Sequence, residues 1–373
     1  MDLSLSKDEK TLRDNAREFA RKRVKPLACE IDRSGEFPGE LFKETAAAGY
    51  HGLPFPAAYG GGGAGYLGYA LVLEQISQAS LTVGSILAVN TTPQEAVYRF
   101  GSETQRQIML RPMAVGQEMG CIAFTEAGTG SDPNAISSNA MKKGNRYILN
   151  GHKQFVTNAA NSRRSLVFTR SEQPGVTAFL IDTAVPGFRV SRPVETMGAR
   201  GMGVCEVDLD EITVTEENRI GAEGQGYEIL LDAISVERLG VALQAVGIAQ
   251  AALELSLEYA RERKAMSQAI SRLPTIQWHL AEMVTRIDAG RWLALEAAGE
   301  RDLGLDIRYR SAVAKLFTSQ MAVEVTRMGM QVHGTYGTIQ GSDIERLYRD
   351  AKMTEIYVGV SEIQRVIIAN QLI

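Results

Sequence analysis

Two stretches of the sequence carry residue types that could do chemistry. Glu237 lies in the segment Asp-Ala-Ile-Ser-Val-Glu-Arg-Leu, which begins at Asp232, and a carboxylate can remove a proton when burial raises its pKa. A glutamate near the start of a helix is more often solvated, where it interacts with the positive end of the helix dipole. Residues 123–132 read Ala-Phe-Thr-Glu-Ala-Gly-Thr-Gly-Ser-Asp, and such small residues let backbone N–H groups approach an anion closely.

The composition excludes several classes of function. The chain has 373 residues, enough for two or three packed domains, and its net charge of −4 argues against a nucleic-acid partner. The three cysteines form no C-x-x-C pair, and the four histidines fall in no metal-ligand spacing, so we expect no metal site. The N-terminus is polar and no run of eighteen apolar residues occurs, which predicts a cytoplasmic protein without a membrane partner.

The pattern of apolar residues changes twice along the chain. Residues 1–118 show helical spacing, residues 119–225 show short alternating runs separated by turn residues, and residues 226–373 return to helical spacing. This order predicts an α+β multidomain protein. We expect an N-terminal all-α domain, a small middle β domain that is a barrel or a sandwich, and a C-terminal domain resembling a four-helix bundle.

Local signals predict four details of these domains. The glycine cluster of residues 59–68 follows a helix rather than a strand, so we interpret it as a flexible loop and not as a phosphate-binding loop. Pro93 should kink or interrupt its helix. The strand that begins at Arg146 should end in a turn at Asn150 and Gly151. The last helix, with its apolar side chains at 366–368, should pack against the chain.

Three sequence blocks give the chain a family resemblance. Residues 123–132 resemble the signature at which the middle domain of the acyl-CoA dehydrogenases begins. Residues 147–158, Tyr-Ile-Leu-Asn-Gly-His-Lys-Gln-Phe-Val-Thr-Asn, resemble that family's second flavin-contacting strand, and residues 345–352, Glu-Arg-Leu-Tyr-Arg-Asp-Ala-Lys, resemble its third block. The blocks occur in the family's order, and the succession of helices, strands and helices agrees with its fold.

The resemblance implies that the protein binds FAD. Ser131 would bond the pyrophosphate, Thr125 the edge of the isoalloxazine ring, and Thr157 would lie near flavin N5. Phe155 replaces a tryptophan that is usual beside the ring, and it keeps an aromatic face without an indole N–H. The remaining positions expected to contact the cofactor in this half of the site are Phe124 and Gly130.

The family resemblance also implies that a second subunit completes the FAD site. The matching residues are Arg263, Gln331 and Gly334, and an arginine suits a diphosphate because its planar fork makes two directed hydrogen bonds. Met266, Pro274, Thr335 and Val360 depart from the family's usual residues here, so we expect the adenine half of the site to be remodelled. A homo-oligomer, either a dimer or a tetramer, follows from this arrangement.

The catalytic base of many relatives is missing from its usual place. Those enzymes carry a glutamate in a Tyr-Glu-Gly-Thr segment, whereas this chain reads Tyr357, Val358, Gly359, Val360, and valine accepts no proton. The chain is therefore either a catalytically inactive relative or one whose base lies elsewhere. Isovaleryl- and long-chain-type members place the glutamate just before an arginine on the first helix of the C-terminal domain, and the matching pair is Glu237 and Arg238. We therefore predict Glu237 as the base.

The other substrate contacts follow from the same resemblance. The backbone N–H of Val358 would bond the thioester oxygen, which a change of side chain leaves possible. Tyr357 and Gly359 would line the pocket, and Arg238 would hold the loop or the substrate. Gly240 and Val241 should leave room for the acyl chain.

The substrate and the electron acceptor remain expectations. Gly84 corresponds to an arginine that binds the distal carboxylate in relatives acting on glutaryl-like substrates, so we expect a short or branched, uncharged acyl-CoA. The resemblance implies that electrons pass to an electron-transfer flavoprotein. Two alternatives stay open: a non-catalytic member that binds flavin or acyl-CoA, and a member that works as an enoyl-CoA reductase or an oxidase.

Overall fold

The computed structural model describes residues 5–132, 135–172 and 175–373. Seven helices precede the sheet: α1 Lys7–Phe19, α2 Ala28–Ser34, α3 Gly39–Ala47, α4 Gly65–Ala79, α5 Leu81–Phe100, α6 Glu103–Gln105 and α7 Arg111–Ala114. Five helices follow it: α8 Gly226–Glu262, α9 Pro274–Asp302, α10 Arg308–His333, α11 Asp343–Ile356 and α12 Ser361–Asn370.

The strands between these helices form one mixed sheet. They are β1 Gly120–Ala123, β2 Asn139–Lys143, β3 Arg146–Val156, β4 Arg164–Arg170, β5 Val176–Asp182, β6 Phe188–Val190, β7 Cys205–Thr215 and β8 Arg219–Ile220. The order across the sheet is β6-β7-β3-β2-β4-β5-β8, with β1 parallel to β4. In the described residues β6 and β8 do not pair, so the sheet stays open and does not close into a barrel. A two-stranded hairpin of β9 Lys264–Ala265 and β10 Gln268–Ala269 follows α8.

The helix α8 joins the layers of the molecule. It has 37 residues and is in contact with α4, α5, α9, α10 and α11. Its first turns pack with β4 and β5, because Ile229, Leu230 and Ile234 share an apolar cluster with Leu166 and Phe168. A helix that is apolar on nearly all sides lies in a core, and most of α8 from Ile229 to Leu253 is buried. Any polar side chain in that stretch is therefore buried with it.

The two boundaries between helical and sheet regions fall in short connections. α7 ends at Ala114 and β1 begins at Gly120, while β8 ends at Ile220 and α8 begins at Gly226. We keep residues 1–118, 119–225 and 226–373 as the proposed domains. None of the described helices is long and apolar enough to cross a membrane.

Two local predictions were wrong. The glycine loop is closely packed rather than flexible, since the N–H groups of Gly62 and Gly63 donate to the carbonyls of Gly52 and Phe55, and a Cβ on Gly61 would lie 2.0 Å from the Phe55 oxygen. The strand β3 continues through Gly151 with a register shift where a turn was expected.

The prediction that the last helix packs against the chain is confirmed, because α12 contacts α10 and its Gln364 is fully buried. Of its apolar side chains, Val366 is 52% exposed, while Ile367 and Ile368 are half-buried.

The helix α5 continues through Pro93 without interruption. Proline lacks an N–H, so one helical hydrogen bond is missing there. Polar contacts at the neighbouring turn hold the segment in place, because the Asn90 side chain accepts from Gly120 N–H at 2.8 Å and the Gln94 side chain donates to the Asn90 carbonyl at 2.8 Å.

Candidate active site

Glu237 lies on α8 at the crossing with α4 and α5. Its neighbours Val236 and Leu239 are fully buried, and Glu237 itself is only 8% exposed. Burial raises the pKa of Glu237 to about 7, and the charge of Arg238 together with the Thr92 hydroxyl opposes this rise. A carboxyl group with a pKa near 7 can both accept and release a proton at physiological pH. Its local sequence alone favoured a solvated position, and that interpretation was wrong.

Arg238 is buried beside Glu237. Its side chain is 5% exposed, and its Nε has no hydrogen-bond partner among the described residues. Burial lowers the pKa of Arg238 to about 10, while the charge of Glu237 favours the guanidinium form. A buried guanidinium is usually paired, so Arg238 has the capacity to bind an acceptor from outside the chain.

The loop after α11 lies close to the same part of α8. The Tyr357 hydroxyl donates to the Gln244 side chain, which is two turns along α8 from Glu237. Burial raises the pKa of the Tyr357 phenol, with smaller contributions from the charges of Asp350 and Glu237. The hydroxyl of Tyr357 thus bonds the loop to α8.

Val358 has a backbone conformation that is rare for a β-branched residue. Its φ is 58° and that of Gly359 is 90°, so two successive residues occupy the left-handed side of conformational space. Such a conformation at valine costs on the order of 1–3 kcal/mol, which the surrounding contacts must offset. The Val358 N–H donates to no other described residue. The loop therefore presents a free backbone donor at Val358, as an oxyanion site requires.

The first two sequence blocks meet in the sheet. The N–H of Gln154 donates to the Thr125 carbonyl at 2.8 Å, and the Lys153 ammonium contacts the Glu126 carboxylate at 2.6 Å. Burial by itself would raise the pKa of Glu126, but hydrogen bonds from Lys153 and from the two serines at 137 and 138 lower it to about 2. Burial lowers the pKa of Lys153 to about 8, which Glu126 partly offsets. This buried ion pair fixes the turn that carries the small residues.

The small residues of that turn are open on their outer side. Gly130 and Ser131 are exposed, and a Cβ on Gly130 would meet no heavy atom within 4 Å. Thr125 and Thr157 are half-buried, and Phe155, with φ 54°, is 63% exposed. Exposed backbone N–H groups beside an uncovered aromatic ring fit a cofactor with a pyrophosphate and a flat ring system, such as FAD.

Phe124 connects this surface with the loop of Val358. Both side chains are half-buried and pack against one apolar cluster that also contains Ile234, one turn before Glu237. The flavin blocks, the Val358 loop and the buried carboxylate thus converge on one region between the sheet and α8.

The third block anchors α11 to the other elements. Arg349 bonds Asp32 on α2 at 2.6 Å and the Met197 carbonyl at 2.7 Å, while Asp350 accepts from Ala199 N–H at 2.7 Å. Its charged residues therefore set the position of α11, which ends one residue before Tyr357.

Arg263, Gln331 and Gly334 lie far from Glu237 on one exposed surface. Arg263 follows the end of α8, 26 residues after Glu237, which corresponds to about 39 Å along a helix. Its guanidinium lies 5.8 Å from the Tyr336 ring centre, and Tyr259 stacks on His333 nearby.

The space next to Gly240, where the acyl chain was expected, is smaller than the sequence suggested. A Cβ on Gly240 would lie 3.1 Å from the Tyr69 hydroxyl and 3.1 Å from the Ala88 Cβ, so Gly240 allows helices to approach instead of leaving space. Gly84 likewise packs against α4, where a Cβ would lie 2.1 Å from the Ser77 hydroxyl oxygen. The absence of a side chain at 84 therefore reflects helix packing and gives no information about substrate charge.

Sequence reasoning missed four residues of this region: Tyr69, Thr92, Lys315 and Gln364. Tyr69 and Thr92 lie on α4 and α5 next to Glu237, while Lys315 and Gln364 contact the Val358 loop. They belong to four different helices, so no local spacing reveals them. In the described ranges no group of three or more possible ligands could hold a metal ion.

Comparisons with known proteins agree with this architecture. Models of the acyl-CoA dehydrogenase N-terminal, middle and C-terminal domains match residues 6–117, 121–212 and 224–373. The probable acyl-CoA dehydrogenase YngJ of Bacillus subtilis is 37% identical, with 100% of each chain covered. The acryloyl-CoA reductase (NADH) of Anaerotignum propionicum is 35% identical over 100% of this chain and 96% of its own. The structure of butyryl-CoA dehydrogenase from Megasphaera elsdenii superimposes with a TM-score of 0.98 at 31% identity, with both chains covered fully.

The chain therefore belongs to the acyl-CoA dehydrogenase family. It is a flavin-dependent oxidoreductase, and its cofactor is FAD.

Proposed function

We propose that the protein removes two hydrogens from the α and β carbons of a short or branched, uncharged acyl-CoA thioester and forms the 2-enoyl-CoA. The observation that carries this proposal is the burial of Glu237, with a raised pKa, beside Arg238 and the Tyr357–Gly359 loop. A buried carboxylate with a raised pKa is suited to removal of the α-proton, whereas its burial without a function would only destabilise the fold.

Glu237 is the proposed catalytic base. An α-proton next to a thioester is a weak acid, so the base must be strong enough to accept it near neutral pH. Its raised pKa meets that requirement, and Val358 leaves no carboxylate at the position used by many relatives. Glu237 would accept the α-proton as negative charge develops on the thioester oxygen.

The Val358 N–H is the proposed hydrogen-bond donor to that oxygen. It has no partner in the described residues, and a fixed donor is stronger in a site that excludes water. Burial, together with the charge of nearby Arg238, lowers the pKa of Lys315 to about 7. The positive charge of Arg238 favours a negative oxygen at this place, and Arg238, Tyr357 and Gly359 would bind the thioester end of the substrate.

FAD, when bound, supplies the acceptor for the hydride from the β carbon. Phe124, Thr125, Gly130, Ser131, Phe155 and Thr157 are the residues that would hold it in this chain. The exposed turn and the uncovered ring of Phe155 support this assignment. Arg263, Gln331 and Gly334 would hold the FAD of a second chain, since about 39 Å separates Arg263 from Glu237.

The acyl chain is proposed to be short. Tyr69 and Ala88 close the space beside Gly240, one turn after Glu237, so a long chain would meet their side chains. One of the similar solved structures is a butyryl-CoA dehydrogenase, which agrees with a short acyl group. A charged acyl group would need a partner, and Arg238 next to Glu237 is placed for the thioester end instead.

The proposed partners are an electron-transfer flavoprotein and further copies of this chain. Phe155 is exposed next to the proposed flavin position, as an electron-transfer contact requires. Trp278 and Trp292 on α9 are 73% and 49% exposed, and large exposed aromatic side chains on one helix favour a protein interface. A dimer or a tetramer would cover them.

A screen of acyl-CoA thioesters with the purified protein tests the proposal. We expect the flavin absorbance to bleach with four- to five-carbon acyl-CoA and to recover with an electron-transfer flavoprotein rather than with oxygen. Absence of bleaching by any saturated acyl-CoA would contradict the proposal and would favour a non-catalytic flavin- or acyl-CoA-binding protein.

The second candidate is an enoyl-CoA reductase. Its support is the 35% identity to a protein named acryloyl-CoA reductase (NADH). The same residues could return a proton to the α carbon, because the reaction is reversible in principle. Faster oxidation of the reduced flavin by a 2-enoyl-CoA than reduction of the flavin by the acyl-CoA would favour this candidate. Rapid reoxidation by oxygen alone would instead indicate an oxidase.

A further inference from the structure

The Lys315 ammonium is buried at the Val358 loop. Lys315 lies on α10 with no exposed surface, and its Nζ donates to the carbonyls of Gly359 at 2.7 Å and Glu355 at 3.2 Å. It makes no ion pair with another described residue. A buried ammonium normally has a carboxylate partner. Lys315 instead donates its hydrogen bonds to backbone carbonyls, so it stabilises the conformation of that backbone.

Gln364 contacts the same loop from the opposite helix. Its side chain on α12 is fully buried, and its Nε2 donates to the Gly359 carbonyl at 2.8 Å and to the Val358 carbonyl at 3.3 Å. A Cβ on Gly359 would lie 2.8 Å from this Nε2. Glycine at 359 is therefore required both by its φ of 90° and by the approach of Gln364.

These contacts account for the conformation of Val358. A valine with φ 58° persists only where its surroundings determine the backbone, and here the carbonyls of residues 355, 358 and 359 all have side-chain donors. The Val358 N–H belongs to the peptide between Tyr357 and Val358, which lies between two anchored peptides. On one side the Tyr357 N–H donates to the Met353 carbonyl at 3.2 Å, and on the other side the Val358 carbonyl accepts from Gln364. The neighbouring peptides therefore orient the Val358 N–H, which stays without a partner in the described part of the chain.

We propose that Lys315 is a positioning residue, which together with Gln364 holds the loop so that the Val358 N–H faces the thioester oxygen of the substrate. This inference rests on the proposed function, because it gives Lys315 a role through the donor assigned there. Lys315 does not touch the reacting atoms.

The test is Lys315→Met, which keeps the length of the side chain and removes its donors. We expect FAD content close to that of the wild type. At saturating acyl-CoA the rate of flavin reduction should fall by roughly 10- to 100-fold, less than for deletion of an oxyanion donor itself, while KM changes by less than about threefold. Gln364→Met should lower the same rate in the same way. Lys352→Met is the matched control, because Lys352 lies on α11 next to the loop but bonds the exposed side of Glu355.

A second measurement separates positioning from general loss of structure. Crotonyl-CoA labelled with ¹³C at the thioester carbonyl reports hydrogen bonds to that oxygen through the frequency of its carbonyl band in infrared difference spectra. We expect the band of the bound ligand to move to higher wavenumber in Lys315→Met and to stay in place in Lys352→Met. If Lys315→Met does not retain FAD, the rate of flavin reduction and the carbonyl band of Gln364→Met test the inference instead.

The outcomes are distinguishable from a failure of the proposed function. An unchanged rate and an unchanged carbonyl band in an FAD-loaded Lys315→Met would overturn the inference while leaving the proposed function intact. A wild-type protein that no acyl-CoA bleaches, and whose carbonyl band matches that of free ligand, would overturn both.

Discussion

At the scale of single residues, the buried carboxylate of Glu237 accounts for the absence of a base at Val358. A valine at the position that carries the base in many relatives leaves the loop with only its backbone donor, and the buried carboxylate on α8 supplies the missing group. Burial, Arg238 and Thr92 together set the pKa of Glu237 near 7, so its protonation state changes within the physiological range.

The rate of flavin reduction should depend on pH through Glu237. Only the deprotonated carboxylate accepts the α-proton, so below pH 7 the rate at limiting substrate should fall about tenfold per pH unit, and above pH 7 it should level off. Stopped-flow reduction by an acyl-CoA between pH 5.5 and 9 measures this. A flat profile over the range would contradict the assignment of the pKa to the base.

Stability should also depend on this residue. The folded pKa is raised above the unfolded value of about 4.5, so the folded state retains a proton that the unfolded state loses, and stability declines as pH rises from about 4.5 to 7. Glu237→Gln removes this effect. It should therefore raise the free energy of unfolding by about 2–3 kcal/mol more at pH 8 than at pH 5, and calorimetry at the two pH values checks it. An equal change in the free energy of unfolding at pH 5 and at pH 8 would show that the Glu237 carboxyl does not titrate with a raised pKa.

At the scale of elements, the crossing of α4, α5 and α8 sets the depth of the acyl pocket. Gly240 lets Tyr69 and Ala88 approach α8 to van der Waals distance, which closes the space next to Glu237.

Shortening Tyr69 should shift the preference toward longer acyl chains. In Tyr69→Ala the ratio of kcat/KM for octanoyl-CoA to that for butyryl-CoA should rise by at least about tenfold, because several buried methylenes gain space at roughly 0.8 kcal/mol each. The cavity also costs about 3–5 kcal/mol of stability. Tyr69→Phe is the control and should keep the preference of the wild type. An unchanged ratio in Tyr69→Ala would mean that the acyl chain lies elsewhere.

The elements were more predictable from the sequence than the site was. Apolar spacing of 3.6 residues predicted a helical region over residues 226–373, where α8 to α12 lie, because helices such as α8 bury continuous stripes like the one that contains Leu239, Leu243 and Val246. The strand β3 was predicted to turn at Gly151 because local turn residues gave the signal, whereas pairing with β7 kept it extended. Tertiary contacts decide such cases.

The site could be predicted only where a motif carried it. The resemblance of three blocks led to the flavin turn and to Glu237, although its local sequence favoured exposure. Lys315 and Gln364 reach the Val358 loop from 43 residues before it and 6 residues after it, and Tyr69 reaches Glu237 from a separate helix. Contacts between side chains of different helices, or between a side chain and the backbone of a loop, leave no periodic signal in one sequence.

At the scale of the whole molecule, the two halves of the proposed FAD site lie on different parts of the chain. The open turn at Gly130 and Ser131 lies at the sheet, whereas Arg263 lies beyond the end of the long helix, with Tyr336 below its guanidinium. The exposed tryptophans of α9 are consistent with an assembly in which one chain reaches the cofactor of the next.

Arg263→Ala should weaken FAD binding by roughly 10- to 150-fold without unfolding the chain. Loss of a charge-assisted hydrogen bond to a diphosphate costs roughly 1.5–3 kcal/mol. Equilibrium dialysis of FAD, together with the mass from light scattering, measures it, and Lys264→Ala is the neighbouring control. A monomeric protein that binds FAD equally well with and without Arg263 would contradict a site shared between chains.

The measurement that tests the central claim most directly is the bleaching of bound FAD by a short acyl-CoA in Glu237→Gln. Glutamine keeps the size of the side chain but accepts no proton, so the rate should fall by roughly 10²- to 10⁴-fold while FAD content and acyl-CoA binding are retained. Glu228→Gln, an exposed change in the first turn of α8, should bleach like the wild type. Bleaching of Glu237→Gln at the wild-type rate would show that the base lies elsewhere.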